Sequence, residues 1–163
     1  MKTLFSAIAA AVVLWSPLPS TAADHSVSVS IGPQLRAQVS SLGQRDLDQL
    51  SSDLTRAVQS QVDRVPRLAG AKIDLVITAA TPNRPTFQQL SNTPGLSFQS
   101  YGVGGATVDG TVTSADGVVT PVHYRWYESD ISQAENSGVW EDAQYAFRQF
   151  AHGLARGERL ATR

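Results

Sequence analysis

The sequence predicts an α+β fold: a two-layer sandwich in which a mixed sheet of four or five strands carries two helices on one face. Three observations predict it. Apolar residues alternate with period two in separate stretches, as half-buried strands require. Two longer stretches switch to a helical stripe, and each stripe has one apolar side. The order runs strand, helix, strand, long connection, hairpin, helix. Elements with a single apolar face are most economically buried in two layers.

Val27, Val29 and Ile31 alternate with Ser26, Ser28 and Ser30, which predicts a strand with a hydroxyl face. Gly32-Pro33 breaks it. Leu35, Ala37 and Val39 alternate again, which predicts a second short strand or a bent continuation of the first. From Gln44 to Val62 the period is helical, with Leu47, Leu50, Leu54, Ala57, Val58 and Val62 on one stripe. Asp46 and Asp48 fall in its first turn, where the helix dipole favours acids. Pro66 disfavours helical geometry at Val65, so the helix ends before it. Ile73, Leu75 and Ile77 form the next strand, with Asp74 and Thr78 on its other side. A strand, helix, strand order makes these two strands parallel.

Residues 80–101 are a long connection. Thr86 to Gln89 has the spacing of a capping box, and Asn92 to Gly95 that of a type II turn. Connections this long are either functional or packed down. Here packing down would place Phe87, Leu90 and Phe98 over a sheet edge. Residues 128–138 are polar and are expected to loop out. Trp140 to Leu154 reads as the last helix, with Phe147 and Phe150 on its core stripe and Gly157 placed to end it.

Between these lie Ala106–Thr113 and Val118–Tyr127, a hairpin around Asp116-Gly117. A two-residue loop would set Val108 opposite Arg125. A three-residue loop, with Gly117 left-handed, sets Val108 opposite Tyr124, Ala106 opposite Trp126 and Asp109 opposite His123. A slip of one residue turns a whole strand over, so matching apolar with apolar selects the three-residue loop. Tyr124 and Trp126 then point inward, with Trp126 on the layer of Trp140 and Phe147. Asp109, His123, Arg125 and Tyr127 share the opposite face.

Composition narrows the function. The chain has 163 residues, 42% of them hydrophobic, which suits one domain over residues 24–163. A net charge of −1 gives no footprint for nucleic acid or an anionic membrane. With no cysteine, disulfides, thiol nucleophiles and thiolate metal sites are excluded. Lys2, the apolar run Leu4–Trp15 and the small residues before Asp24 have the layout of a secretory signal peptide over residues 1–23, cleaved after Ala22 or Ala23. The mature chain is then expected in the periplasm or outside the cell, without stable membrane insertion.

No phosphate loop or nucleophile elbow is present, and the Gly102–Gly105 run leads into a strand, not a helix. His25, His123 and His152 are too scattered for a metal site, and no cofactor is called for. Asp109 beside His123 is the single pair with catalytic flavour: a carboxylate orients the imidazole as a general base requires. Thr107 or Thr111 would have to be the nucleophile of such a small hydrolase. The same pair also serves a sheet as an ordinary cross-strand contact. Arg125 and Tyr127 are the types that anchor binding surfaces.

Several segments carry a resemblance. They are Pro82-Asn83-Arg84-Pro85-Thr86, Gly104-Gly105-Ala106, Tyr124-Arg125-Trp126-Tyr127-Glu128 and Trp140-Glu141-Asp142-Ala143. Together they resemble secreted or lipid-anchored envelope proteins of Gram-negative bacteria, small α+β domains of unknown function. Lipid-anchored members carry a Cys after the signal, which this chain lacks. The resemblance implies no activity and no catalytic residues. The resulting expectation is a non-enzymatic module that binds an envelope protein or cell-wall component, with Arg125, Tyr127, His123 and Asp109 as its binding face. The alternative is the hydrolase with His123 oriented by Asp109.

Overall fold

The structure, a computed structural model, describes residues 26–134, 137–158 and 160. The proposed signal peptide and His25 lie outside the described residues. Four strands form one mixed sheet in the order β1 (Ser26–Ile31), β2 (Lys72–Thr81), β3 (Gly105–Thr113), β4 (Val119–Tyr127). β1 is parallel to β2, and the other two pairings are antiparallel.

The stretch after β1 corrects the sequence reading. Residues 33–42 form two single helical turns, α1 (Pro33–Arg36) and α2 (Val39–Leu42), not a strand. Pro33 occupies the first helical position, where its fixed φ suits a helix and its missing N–H costs nothing. Leu35, Val39 and Leu42 also satisfy a four-then-three spacing, and Leu35 and Leu42 are the buried members. Over six residues, alternation could not separate the two periods.

α3 (Gln44–Val62) buries Leu47, Leu50, Leu54, Val58 and Val62 of its stripe, and Ala57 is partly buried beside them. α5 (Glu141–Arg156) buries Ala143, Ala146, Phe147, Phe150 and Leu154. Both helices pack on the sheet face that carries Ile73, Leu75, Ile77, Ala106 and Val108, giving one continuous apolar cluster. Gly157, with φ 74°, ends α5 in a left-handed turn, and Glu158 N donates to Gly153 O across it at 3.0 Å. Beyond it, Leu160 O accepts from His123 N of β4 at 2.7 Å. Among the described residues no helix is long and apolar enough to cross a membrane.

The hairpin has the three-residue loop. Ser114 N donates to Val118 O, Gly117 has φ 85°, and Val108 faces Tyr124 while Asp109 faces His123. Tyr124 packs toward Phe150 with ring centroids 6.1 Å apart. Trp126 is half-buried at the rim, and its ring partner is Tyr145 on α5, 4.6 Å away, rather than Trp140 or Phe147.

Burial, with lesser contributions from Tyr145 and Glu158, raises the Tyr124 phenol above its ordinary 10.0. As pH climbs past 10.0 the unfolded phenol ionises first, so this stability is intact below that value and disappears as pH rises through the folded pKa. Thermal melts above that pH should therefore fall less steeply for Tyr124→Phe than for the parent. Equal slopes would contradict the burial argument.

Candidate functional site

The open face of the sheet holds the four residues singled out in the sequence. Thr78 sits where β2 bulges between Ile77 and Ala79, and its hydroxyl donates to Asp109 Oδ2 at 3.0 Å. Asp109 Oδ1 lies 2.5 Å from His123 Nδ1. The carboxylate thus joins β2, β3 and β4 through their side chains. The Arg125 guanidinium lies 5.1 Å from the centroid of the Tyr127 ring, and the Tyr127 hydroxyl is 3.5 Å from Thr107 Oγ1. Lys72 pairs with Asp74 at 2.7 Å. The Thr78 hydroxyl therefore meets the carboxylate, and the Thr107 hydroxyl the phenol. Asp109 and Tyr127 thus each engage neighbours on this face.

A second site was not identified from the sequence. α3 and α5 lie side by side and run in the same direction, so their N-termini share one end of the sheet. Trp140, which caps α5, is buried, and its indole N–H donates to Asp46 Oδ1 in the first turn of α3 at 2.7 Å. One turn along, Gln144 Nε2 donates to Asp53 Oδ2 at 2.8 Å. A buried indole N–H needs a partner, and the first-turn acid provides it.

The long connection is built onto this end by a buried polar knot. Asn83 and Asp142 hold each other: Asn83 Nδ2 donates to Asp142 Oδ2 at 2.5 Å, and Asp142 N donates to Asn83 Oδ1 at 3.0 Å. Asp142 Oδ2 also accepts from Gly104 N at 2.8 Å, so one carboxylate clamps both ends of the loop. The Asn83 main chain donates to Val139 O and accepts from Gly102 N. Gly104 must be glycine here, because a Cβ would lie 2.7 Å from Thr81 O and 2.8 Å from Asn83 Oδ1. Arg84 adds bonds to Ser137 O at 2.6 Å and Phe98 O at 2.8 Å.

The capping box forms as expected: Thr86 Oγ1 accepts from Gln89 N at 3.2 Å, and Gln89 Oε1 accepts from Thr86 N at 3.0 Å, starting α4 (Phe87–Asn92). Asn92 Nδ2 ties α4 back to Ser40 O at 2.9 Å. Phe87 and Phe98 do not cover a sheet edge. They meet edge to face at 5.5 Å and remain 69% and 59% exposed. They form one wall of a cleft of about 440 Å³, whose other walls are Arg45, Asp46 and Gln49 of α3 and Trp140, Glu141 and Gln144 at the start of α5. That volume is in the usual range for small-ligand sites, ~300–1,000 Å³.

No protein-family model matches the chain, and no curated protein matches it.

Among the described residues no group of three or more His, Asp or Glu is placed to hold a metal ion. Of the clefts at residues 45–144, 81–102, 67–160 and 29–51, none is lined by His123 or Asp109. The cleft at the helix starts presents flat apolar rings, two carboxylates, two amides and one guanidinium, beside a loop held by the Asn83–Asp142 knot.

Proposed function

We propose that this protein is a secreted or periplasmic binding module that holds a protein or cell-envelope component without transforming it, and that its contact surface is the Phe87–Phe98 cleft. The observation that carries this reading is the exposed phenyl pair on a loop pinned by the Asn83–Asp142 knot. Keeping two large apolar rings in water is unfavourable, and apolar patches rimmed by polar groups mark interaction sites. The clamp makes the loop a rigid platform, which spares the ordering cost of binding. Arg125 and Tyr127 are a lesser candidate, because they are engaged with each other and with Thr107 and line none of the clefts described above. Placement outside the cytoplasm rests on the signal-like layout of residues 1–23 and on the resemblance to envelope proteins.

The test is capture from Gram-negative envelope extracts with the parent, Phe87→Ser/Phe98→Ser and Arg125→Ala/Tyr127→Ala. The parent should retain a component that the Phe variant loses and the Arg125 variant keeps. A bound component indifferent to the Phe changes would overturn the cleft as the contact surface.

A further inference from the structure

We infer that the ligand of the Phe87–Phe98 cleft is a neutral glycan, made of hexose or N-acetylhexosamine units. This rests on the cleft's being the binding site and names what it binds.

The argument begins with hydrogen-bonding capacity. Asp46 spends Oδ1 on the Trp140 indole, and Glu141 spends Oε2 on Gly138 N at 2.9 Å. Each carboxylate is therefore held by one oxygen, and the other has no partner among the described residues. Gln144 gives its amide N–H to Asp53, which leaves its carbonyl oxygen as an acceptor. Arg45 has no ion pair among the described residues and supplies donors. The rim is thus a set of oriented acceptors with one multidentate donor. Sugar hydroxyls, which both donate and accept, complement such a rim.

The wall opposite is aromatic. The face of a phenyl ring is the negative side of its quadrupole, and the C–H face of a sugar ring is a positive apolar complement. An edge-to-face pair presents both a ring face and a ring edge, so a sugar could lie flat against one of them while its hydroxyls reach the rim. Charge argues against polyanions: Arg45 alone opposes Asp46 and Glu141. A basic peptide is the competing class, since carboxylates and aromatic faces also attract cations. Arg45 in the same wall disfavours it, because its guanidinium repels a second cation and its donors are of no use to one.

The experiment is calorimetric titration of the purified protein with chitotriose, with cellotriose and, separately, with tri-lysine. Phe98→Ala and Glu141→Gln are tested alongside Arg125→Ala, and each fold is checked by thermal melting. Both substituted side chains of the cleft are exposed, so these variants should fold. Saturable binding of at least one sugar is expected, weakened about tenfold or more by Phe98→Ala and by Glu141→Gln and unchanged by Arg125→Ala. Tri-lysine bound instead, and lost on the same variants, would overturn the glycan and leave the binding module standing. So would absence of sugar binding while an envelope protein is still captured through the Phe pair. Sugar binding indifferent to both cleft variants would overturn the assignment of this site. Absence of every ligand and of any captured component would overturn both readings.

Discussion

Gly110→Ala is expected to cost about 3 kcal/mol of stability, the upper part of the range for forcing atoms into a packed interior. Gly110 lies in β3 opposite Leu75 of β2 and Val122 of β4. A Cβ there would lie 2.2 Å from Asp74 O and 3.0 Å from Leu75 Cα. Both are main-chain atoms of β2, which is held by β1 on its other side, so neither can move without disturbing two pairings. Gly117 makes the control. Its φ of 85° disfavours a side chain, but a Cβ there meets nothing within 4 Å, so Gly117→Ala should cost only about 1–2 kcal/mol. In urea melts the Gly110 variant should show the lower midpoint with an unchanged slope. If Gly117→Ala is the more damaging, the close approach of β3 to β2 is wrong.

The elements with a long, one-sided pattern were legible in the sequence. Leu47 to Val62 keeps its helical stripe over about four turns, long enough to mark one buried side. The hairpin register was legible because the wrong register would have put Arg125 in the apolar layer beside Val108. The stretch from Pro33 to Leu42 was not legible, because two single turns of helix are too short to show a period. The position of Trp126 was legible by face but not by neighbour. Alternation says which side of the sheet a residue occupies but not which residue of α5 lies over it, and Tyr145 is the one that does.

The candidate site was legible only in pieces. Pro82 to Thr86, Gly104-Gly105 and Trp140 to Ala143 stood out in the sequence as turns, glycines and a helix start. In the fold all three converge on the Asn83–Asp142 knot and the cleft above it. Their sequence separation, 59 residues between Asn83 and Asp142, hides a contact that no periodicity encodes. A usable signal was present nonetheless. Asn83 lies between Pro82 and Arg84-Pro85 in a segment too stiff to bury a polar side chain without a partner. Asp142 falls on the side of its helix that carries the core. A buried Asn and a buried Asp each demand partners, and they supply one another.

Asp142→Ala is expected to remove about 2–4 kcal/mol and to release the loop before it unfolds the sheet. Asp142 is nearly buried and its Oδ2 receives two donors, Asn83 Nδ2 and Gly104 N. Removing the carboxylate leaves Gly104 N without its acceptor, at ~1–3 kcal/mol, while Asn83 Nδ2 loses its shorter bond but keeps Gly102 O at 3.3 Å and so loses less. It also removes an acid from the first turn of α5, worth a further ~0.3–1 kcal/mol. The sheet and the helix stripes lose no apolar contact, so the damage should be local at first. Hydrogen exchange should rise across residues 83–104 while Ile73, Leu75 and Val108 in the core strands keep most of their protection. Asp142→Asn should fall between the parent and the Ala variant, because an amide oxygen can still accept from Gly104 N. If the cleft is the binding site, ligand affinity should fall with Asp142→Ala even though Asp142 itself lines no wall of it. A melt within about 0.5 kcal/mol of the parent, or unchanged exchange in the loop, would show that the knot does not hold the platform.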